Sequence, residues 1–225
     1  MWRRGVEWVI DLLFPLQCIS CGCEGEWWCS ACFKLAISPQ TFLLIAPPFS
    51  AATPLLAGSP LQSISSLFVY HEDQAIGKLI KQFKYGHAHA MKELWEQMLE
   101  ISLNIPANIN ADASIIPIPL YRRRERERGY NQAMLLAQIV AKKYSFPLQT
   151  NLKRIRETKQ QVKLHRDERW ANVSEAFAWK STTPPPPKII LVDDVYTTGA
   201  TMMSAAETLL AAGAKEVHGF VLAKG

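Results

Sequence analysis

The stretch Lys188-Ile-Ile-Leu-Val-Asp-Asp-Val-Tyr-Thr-Thr-Gly-Ala-Thr201 restricts the fold more than any other part of the chain. Ile189 to Val192 is a short apolar run entered from Pro184–Pro187, which predicts a strand buried on both faces of a parallel sheet. Asp193 and Asp194 fall at the carboxyl end of that strand, Thr197 to Thr201 read as a tight turn, and Met202 to Ala212 as a helix. A strand, a turn and a helix N-terminus in this order converge free backbone N–H groups and a helix dipole on one point, which makes an anion site. Gly199 lets the backbone approach a phosphate, and the hydroxyls of Thr197, Thr198 and Thr201 add donors. The two carboxylates could accept hydrogen bonds from sugar hydroxyls or hold magnesium through water. A sugar phosphate satisfies both halves.

A second unit repeats the arrangement. Ala113 to Pro119 predicts a strand ending in prolines, and Gln132 to Lys143 a helix. Between them lies a basic loop, Tyr121-Arg-Arg-Arg-Glu-Arg-Glu-Arg-Gly-Tyr-Asn-Gln132. Guanidinium forks suit phosphate oxygens, and ligands of open α/β sheets collect at the carboxyl ends of strands. Arg128, Gly129, Tyr130, Asn131 and Gln132 are therefore a second set of candidate phosphate-binding residues. Residues 151–179 are polar and basic, fitting either a mobile loop over an anionic substrate or a surface helix; Thr158, Gln160 or Gln161, Arg169 and Asn172 are its candidates.

The amino-terminal part carries different chemistry. Cys18 and Cys21, then Cys29 and Cys32, form two C-x2-C pairs, and all five cysteines fall within fifteen residues. Two such turns can point four thiolates at one ion, which predicts a structural zinc site supplying much of the segment's folding free energy. Cys23 is a fifth sulfur, able to replace Cys21 or to stay free. A disulfide-stapled knob is the competing reading, disfavoured in a reducing compartment.

The remaining chain reads as support. Val6, Val9, Ile10 and Leu13 predict a short helix over 3–14. Residues 37–66, rich in Pro, Ser and Ala, read as a wrapping linker, and Leu67 to Tyr70 as a strand. A helix over Gln74–Tyr85 is closed by Gly86, and another spans Met91–Leu103. Lys78, Lys81 and Lys84 on the first make a basic stripe, more often a solvated face, with a nucleic-acid or phosphate contact as the alternative, and His87 and His89 are read as loop residues. Trp27 and Trp28 could stack bases, though burial suits two adjacent tryptophans better. A net charge of +5 permits nucleic-acid contact without demanding it. No apolar run reaches the roughly 18 residues of a membrane span and no signal peptide is evident, so the expected compartment is the cytoplasm.

Val-Asp-Asp-Val-Tyr-Thr-Thr-Gly-Ala-Thr resembles the loop with which type I phosphoribosyltransferases bind phosphoribosyl pyrophosphate (PRPP). The resemblance implies that Asp193 and Asp194 hold the ribose hydroxyls and that Thr197, Thr198, Gly199, Ala200 and Thr201 hold the 5′-phosphate. The 121–132 segment is similar to the pyrophosphate loop of that family. With the C-x2-C pairs, Pro117-Ile-Pro-Leu120, Arg128 to Gln132 and Arg154-x-x-x-Thr-Lys-Gln-Gln161, nearly the whole chain resembles the ComF family and the related GntX group. The implied architecture is α/β, an open, mostly parallel twisted sheet with helices on both faces. Its expected divisions are a zinc-knuckle segment at 1–36, a linker at 37–66 and a phosphoribosyltransferase-like domain at 67–225. The implied role is DNA uptake in natural transformation, with single-stranded DNA and a helicase-like protein as partners. The alternative is an active phosphoribosyltransferase of nucleotide or gluconate-linked metabolism, with no DNA role. In either, Asp193, Asp194 and Arg128 would be the catalytic set, with magnesium bound alongside PRPP.

Overall fold

A computed structural model of the chain describes residues 16–36, 53–54, 58–72, 74–84, 88–102, 113–157 and 176–225. The helix expected over 3–14, most of the 37–66 segment, Gly86, His87, Thr158, Gln160, Gln161, Arg169 and Asn172 lie outside the described residues. In chain order the elements are α1 (Ser30–Ala36), β1 (Thr53–Pro54), β2 (Ser63–Val69), α2 (Ala75–Lys84), α3 (Ala88–Ser102), β3 (Ala113–Pro117), α4 (Arg122–Arg128), α5 (Gln132–Tyr144), β4 (Leu152–Arg154), β5 (Phe177–Trp179), β6 (Lys188–Tyr196), α6 (Ala200–Ala211) and β7 (Glu216–Lys224).

Five strands form a sheet in the order β1-β2-β7-β6-β3, and β4 pairs with β5 in a separate two-stranded ribbon. Within the five, β2, β7, β6 and β3 run parallel and β1 adds an antiparallel edge. The apolar run of β6 is continuous because both its faces are covered. Ile190 and Val192 join Phe68, Phe83, Trp95, Leu136 and Val140 in one core, whereas Ile189 and Leu191 join Met202, Ala205, Leu209 and Phe177 in the other. That alternation follows from the two-residue period of a strand. Each Ile or Leu fully buried here contributes roughly 1.5–3 kcal/mol relative to an exposed one. Glycine at 219 lets α6 lie close on the sheet, since a Cβ there would press on the Met202 sulfur and Ile64.

Two features of the sheet open a cleft. Pairing of β3 with β6 ends at Pro117 opposite Val192, followed by one further bond in which the Ile118 N–H donates to the Val192 carbonyl (2.9 Å). Beyond that point β6 continues against β7 alone, from Asp193 opposite Val221 to Tyr196 opposite Lys224. The departing β3 chain leaves one side of the Asp193–Tyr196 segment unpaired by any described strand, and the cleft lies there. Strand β6 thus runs four residues past the predicted Val192 and carries the two acids inside it.

Local corrections concern the polar segments. The arginine-rich stretch expected as a loop is the helix α4, closed by Gly129 at φ 80°. Residues 152–154 and 177–179, within the stretch read as mobile loop or surface helix, are the paired strands β4 and β5. Strand β2 starts at Ser63, four residues before the predicted Leu67.

Candidate functional site

The cleft is a cavity of about 560 Å³ whose wall includes Asp193 and Asp194 of β6, Thr197 and Thr201 of the following turn and helix, and Arg128, Asn131 and Gln132. Lys81 and Lys84 of α2, Arg124 of α4 and Arg154 of β4 complete its charged lining, with Glu72. Five cations therefore face three carboxylates. The excess is positive, and it suits a ligand carrying several negative charges.

The two acids have unlike surroundings. Burial and the neighbouring Asp194 charge push the Asp193 carboxyl up to about 7, against the Asp194 N–H, Lys84 and Arg154, which favour its ionised form. Its Oδ1 accepts that N–H at 2.8 Å. Asp194 instead faces Lys84, with Nζ to Oδ2 at 3.0 Å and side chains 27% and 12% exposed. Burial alone would pull Lys84 down, but the charge and hydrogen bond of Asp194, backed by Asp193, hold it above its ordinary value.

After β6 the chain turns through Thr197 and Thr198 to Gly199, whose φ of 78° is a left-handed conformation. That φ favours glycine whatever the space around it, and a Cβ there would also meet the Tyr196 hydroxyl. Helix α6 begins at Ala200 with no side-chain cap, leaving its first N–H groups and the positive end of its dipole for another acceptor. The Thr198 Oγ1 is buried and has no hydrogen-bond partner among the described residues. An uncapped helix start beside an unsatisfied buried hydroxyl is what an anion would complete.

Across the cavity, the helical spacing of α4 sorts its arginines. Arg124 and Arg128, four residues apart, are half-buried and face the cavity, whereas Arg122, Arg123 and Arg126 are exposed. Arg123 is occupied by Glu127 at 2.8 Å and Glu157 at 3.3 Å. Arg154, set over the Phe177 ring at 5.3 Å, is pushed down to about 10 by burial and by Arg124, with Asp193 acting the other way. The remaining residues of the Arg128–Gln132 set hold the backbone. Asn131 caps α5 by accepting the Ala133 N–H and donates to the Ile118 carbonyl, both at 3.0 Å. The Tyr130 hydroxyl donates to the Phe83 carbonyl, and Gln132 Nε2 to the Phe83 and Lys84 carbonyls at 3.4 Å each. Gln132 Oε1 accepts from Arg128 Nη1 at 3.1 Å. These bonds fasten the carboxyl end of α2, with Lys84 on it, to the arginine wall.

Sequence reasoning did not single out Lys84 and Arg154 as cavity residues, although it left a phosphate contact open for the lysine stripe. The lysine lies in a regular basic stripe that reads as solvated, and nothing local shows that the stripe's last member turns toward Asp194. Arg154 ends β4, whose pairing partner begins more than twenty residues further on.

The cysteines form a separate centre. The Sγ atoms of Cys18, Cys21, Cys29 and Cys32 lie within 4.8 Å of one another, and Cys21 and Cys29 approach to 3.6 Å. With zinc–sulfur bonds of about 2.3 Å, tetrahedral thiolates sit a little under 4 Å apart. The four cysteines could hold a metal ion, and the all-sulfur donor set fits zinc. The turn that places the first pair is closed by the Gly22 N–H to the Cys18 carbonyl at 2.8 Å. Burial would raise the Cys18 thiol, but N–H groups from Cys29, Cys21 and Ser20 outweigh it and bring it down to about 6. Hydrogen bonds to Cys21 and Cys29 push the exposed Cys23 up to about 12. Cys18 and Trp28 are buried in the core of the main sheet, with Trp27 packed against it, so the centre is anchored to the body of the protein.

Residues 131–225 match the model of the phosphoribosyl transferase domain. The chain is 30% identical over 116 residues to "Competence protein F" of Haemophilus influenzae, a span that is 50% of this chain and 51% of that protein. The chain thus spans about half the length of the curated relative it matches. Among solved structures, TT1426 from Thermus thermophilus aligns at 15% identity over 59% of this chain and 71% of that one, with a TM-score of 0.31, too loose a likeness to bear on fold or function. Among the described residues no helix is long and apolar enough to cross a membrane.

Proposed function

We propose that this chain, a phosphoribosyltransferase-fold protein of ComF type with a cysteine centre at its amino-terminal end, binds PRPP or a close phosphorylated ribose in the 560 Å³ cavity. The observation that supports this most is one cavity wall holding Asp193 and Asp194 beside the open start of α6. Asp193 and Asp194 take the ribose 2′- and 3′-hydroxyls. The N–H groups from Gly199 onward, with the hydroxyls of Thr197, Thr198 and Thr201, take the 5′-phosphate. Arg128, joined by Arg124 and Arg154, takes the pyrophosphate. If the ligand turns over, a nitrogen nucleophile of an acceptor bonds to C1 as the C1–pyrophosphate bond breaks through an oxocarbenium-like state, pyrophosphate leaves, and the arginine wall stabilises its departing charge. Magnesium, for which Asp193 and Asp194 offer hard oxygen donors, would neutralise the pyrophosphate when bound.

The cellular role proposed, from the resemblance to the ComF family, is the handling of incoming single-stranded DNA. The support is the relative's name together with the exposed Arg122 and Arg126 of α4. The competing reading is a metabolic phosphoribosyltransferase with no DNA role. Calorimetric titration of PRPP with magnesium tests the site: wild type binds, and Asp193→Ala or Asp194→Ala removes binding. Unchanged binding in both variants would refute the assignment. Single-stranded DNA binding that weakens steeply with salt and drops in Arg122→Ala/Arg126→Ala supports the competence role; no binding at low salt leaves the metabolic reading.

A further inference from the structure

Lys84 occupies a position that the phosphoribose reading does not use. It is the last residue of α2, and its ammonium group is 3.0 Å from the Asp194 carboxylate at the floor of the cavity. A sugar hydroxyl bound to Asp194 must share or replace that contact. The lysine cannot simply follow the helix away, because the α2 end is held at the Phe83 and Lys84 carbonyls by Tyr130 and Gln132. Its side chain is 27% exposed and lines the cavity wall together with Arg128. Gln132, which grips the Lys84 carbonyl, is itself bonded to Arg128 at 3.1 Å. Lysine and arginine are therefore fixed to one support, on the same cavity as the two acids.

Charge decides where the ammonium goes. With Asp194 engaged by the sugar, Lys84 is a largely desolvated cation in need of a new anion. Arg128 lines the same cavity and carries a second positive charge. A bridging polyanion on the ligand satisfies both, and a ligand without one leaves Lys84 competing with the sugar for Asp194.

We propose that Lys84 is a ligand-contacting residue that exchanges Asp194 for the pyrophosphate of PRPP, and so makes the site select ribose phosphates that carry a second polyanion over those that do not. The proposal rests on the phosphoribose reading of the cavity. In the ligand-free protein Lys84 neutralises Asp194. On binding, the ribose diol takes Asp194 and the pyrophosphate takes Lys84 together with Arg128.

The test is calorimetric titration of the full chain, with magnesium present, using PRPP and ribose 5-phosphate in parallel. The proteins are wild type, Lys84→Met and Lys84→Arg, each checked first by thermal melting. Lys84→Met is expected to weaken PRPP by about tenfold or more, the loss of one charge-assisted contact. Ribose 5-phosphate should bind unchanged or more tightly, because its rival for Asp194 is gone, and Lys84→Arg should recover most of the PRPP affinity. Equal weakening of both ligands would show that Lys84 merely supports the fold, and unchanged PRPP binding would show that it never meets the pyrophosphate; either overturns the proposal alone. A wild type that binds neither ligand overturns the phosphoribose reading and this inference with it. Should Lys84→Met fail to fold, Lys84→Gln, which keeps a hydrogen bond to Asp194, carries the same comparison.

Discussion

The cysteine centre and the cavity are both clusters of charge, and they treat the absence of a ligand in opposite ways. Four sulfurs within 4.8 Å have no cation of their own, and crowding sets their protonation apart, with Cys18 brought down to about 6 and Cys32 pushed up to about 12 despite its Ser20 hydrogen bond. Such a centre reaches a settled state only with an ion in it. The cavity instead supplies its own compensation: Lys84 answers Asp194, and burial beside Asp194 raises the Asp193 carboxyl to about 7. On the proposed reading, the first site would be part of the fold and the second a place of exchange. A structural centre is built to hold its ligand permanently, whereas a binding site must be tolerable when empty.

The largest effect should come from removing the centre's ion. One zinc per chain is expected by native mass spectrometry, and Cys29→Ser should lose it. Structural four-cysteine sites carry apparent binding free energies of about 10–16 kcal/mol in small domains. Here Cys18 and Trp28 are packed in the main core, so the loss should lower the melting temperature of the entire protein as well as that of its end. Metal-free protein with an unchanged melt would break the contrast, because the centre would then tolerate vacancy as the cavity does.

Next in size is the proton on Asp193. Its folded value of about 7 exceeds the ordinary 3.8, so the folded protein keeps a proton that the unfolded chain has released. More protons on the folded side means that stability falls as pH rises from about 4 to about 7 and is level above, by at most about 1.4 kcal/mol per pH unit. Denaturant melts across that window should show the slope in wild type and lose it in Asp193→Asn. A wild-type curve that parallels the variant would mean Asp193 is charged throughout, and the empty cavity less compensated than it is drawn here.

The Lys84–Asp194 pair sharpens the same point through a double-mutant cycle. Asp194→Ala leaves a mostly buried ammonium without its partner and should cost about 2–3 kcal/mol. Lys84→Met added to it should recover a part, giving a coupling of about 1–2 kcal/mol. Additive losses in chemical denaturation would mean that the two groups do not answer each other in the empty site.

What the sequence disclosed follows the same division. The cysteine centre was legible because C-x2-C spacing fixes geometry within a few residues, and the four cysteines expected to cluster do so. Strand β6, the turn and α6 were legible because one continuous segment holds them, and residues 131–225 match the phosphoribosyl transferase domain. The other cavity wall was not. Lys84 and Arg154 reach Asp194 and Asp193 across more than a hundred and about forty residues respectively, and no local pattern marks a side chain that a distant strand will face. The arginine segment was read as a loop because it joins a strand ending in prolines to the next helix, and like charges repel along it. The Arg123–Glu127 pair, four residues apart, offsets enough of that repulsion for a short one.

Gly199 separates what the empty cavity tolerates from what its ligand needs, with the smallest stability effect of the series. Alanine there must adopt φ near 78°, which costs about 1–2 kcal/mol for a residue with a Cβ. Its methyl would also meet the Tyr196 hydroxyl, which sits at the flexible end of a side chain and can move aside. The turn would then relax by lifting the Thr197–Ala200 backbone, and the N–H groups that begin α6 would lose their common aim. Gly199→Ala should therefore keep its zinc and most of its melting temperature while losing PRPP affinity by more than its stability loss accounts for. Gly199→Ala/Tyr196→Ala, which removes the overlap but not the unfavourable φ, should regain part of the stability and little of the affinity. If affinity returned in full, the overlap with Tyr196 alone would have closed the site, and the left-handed turn would not be what aims those N–H groups.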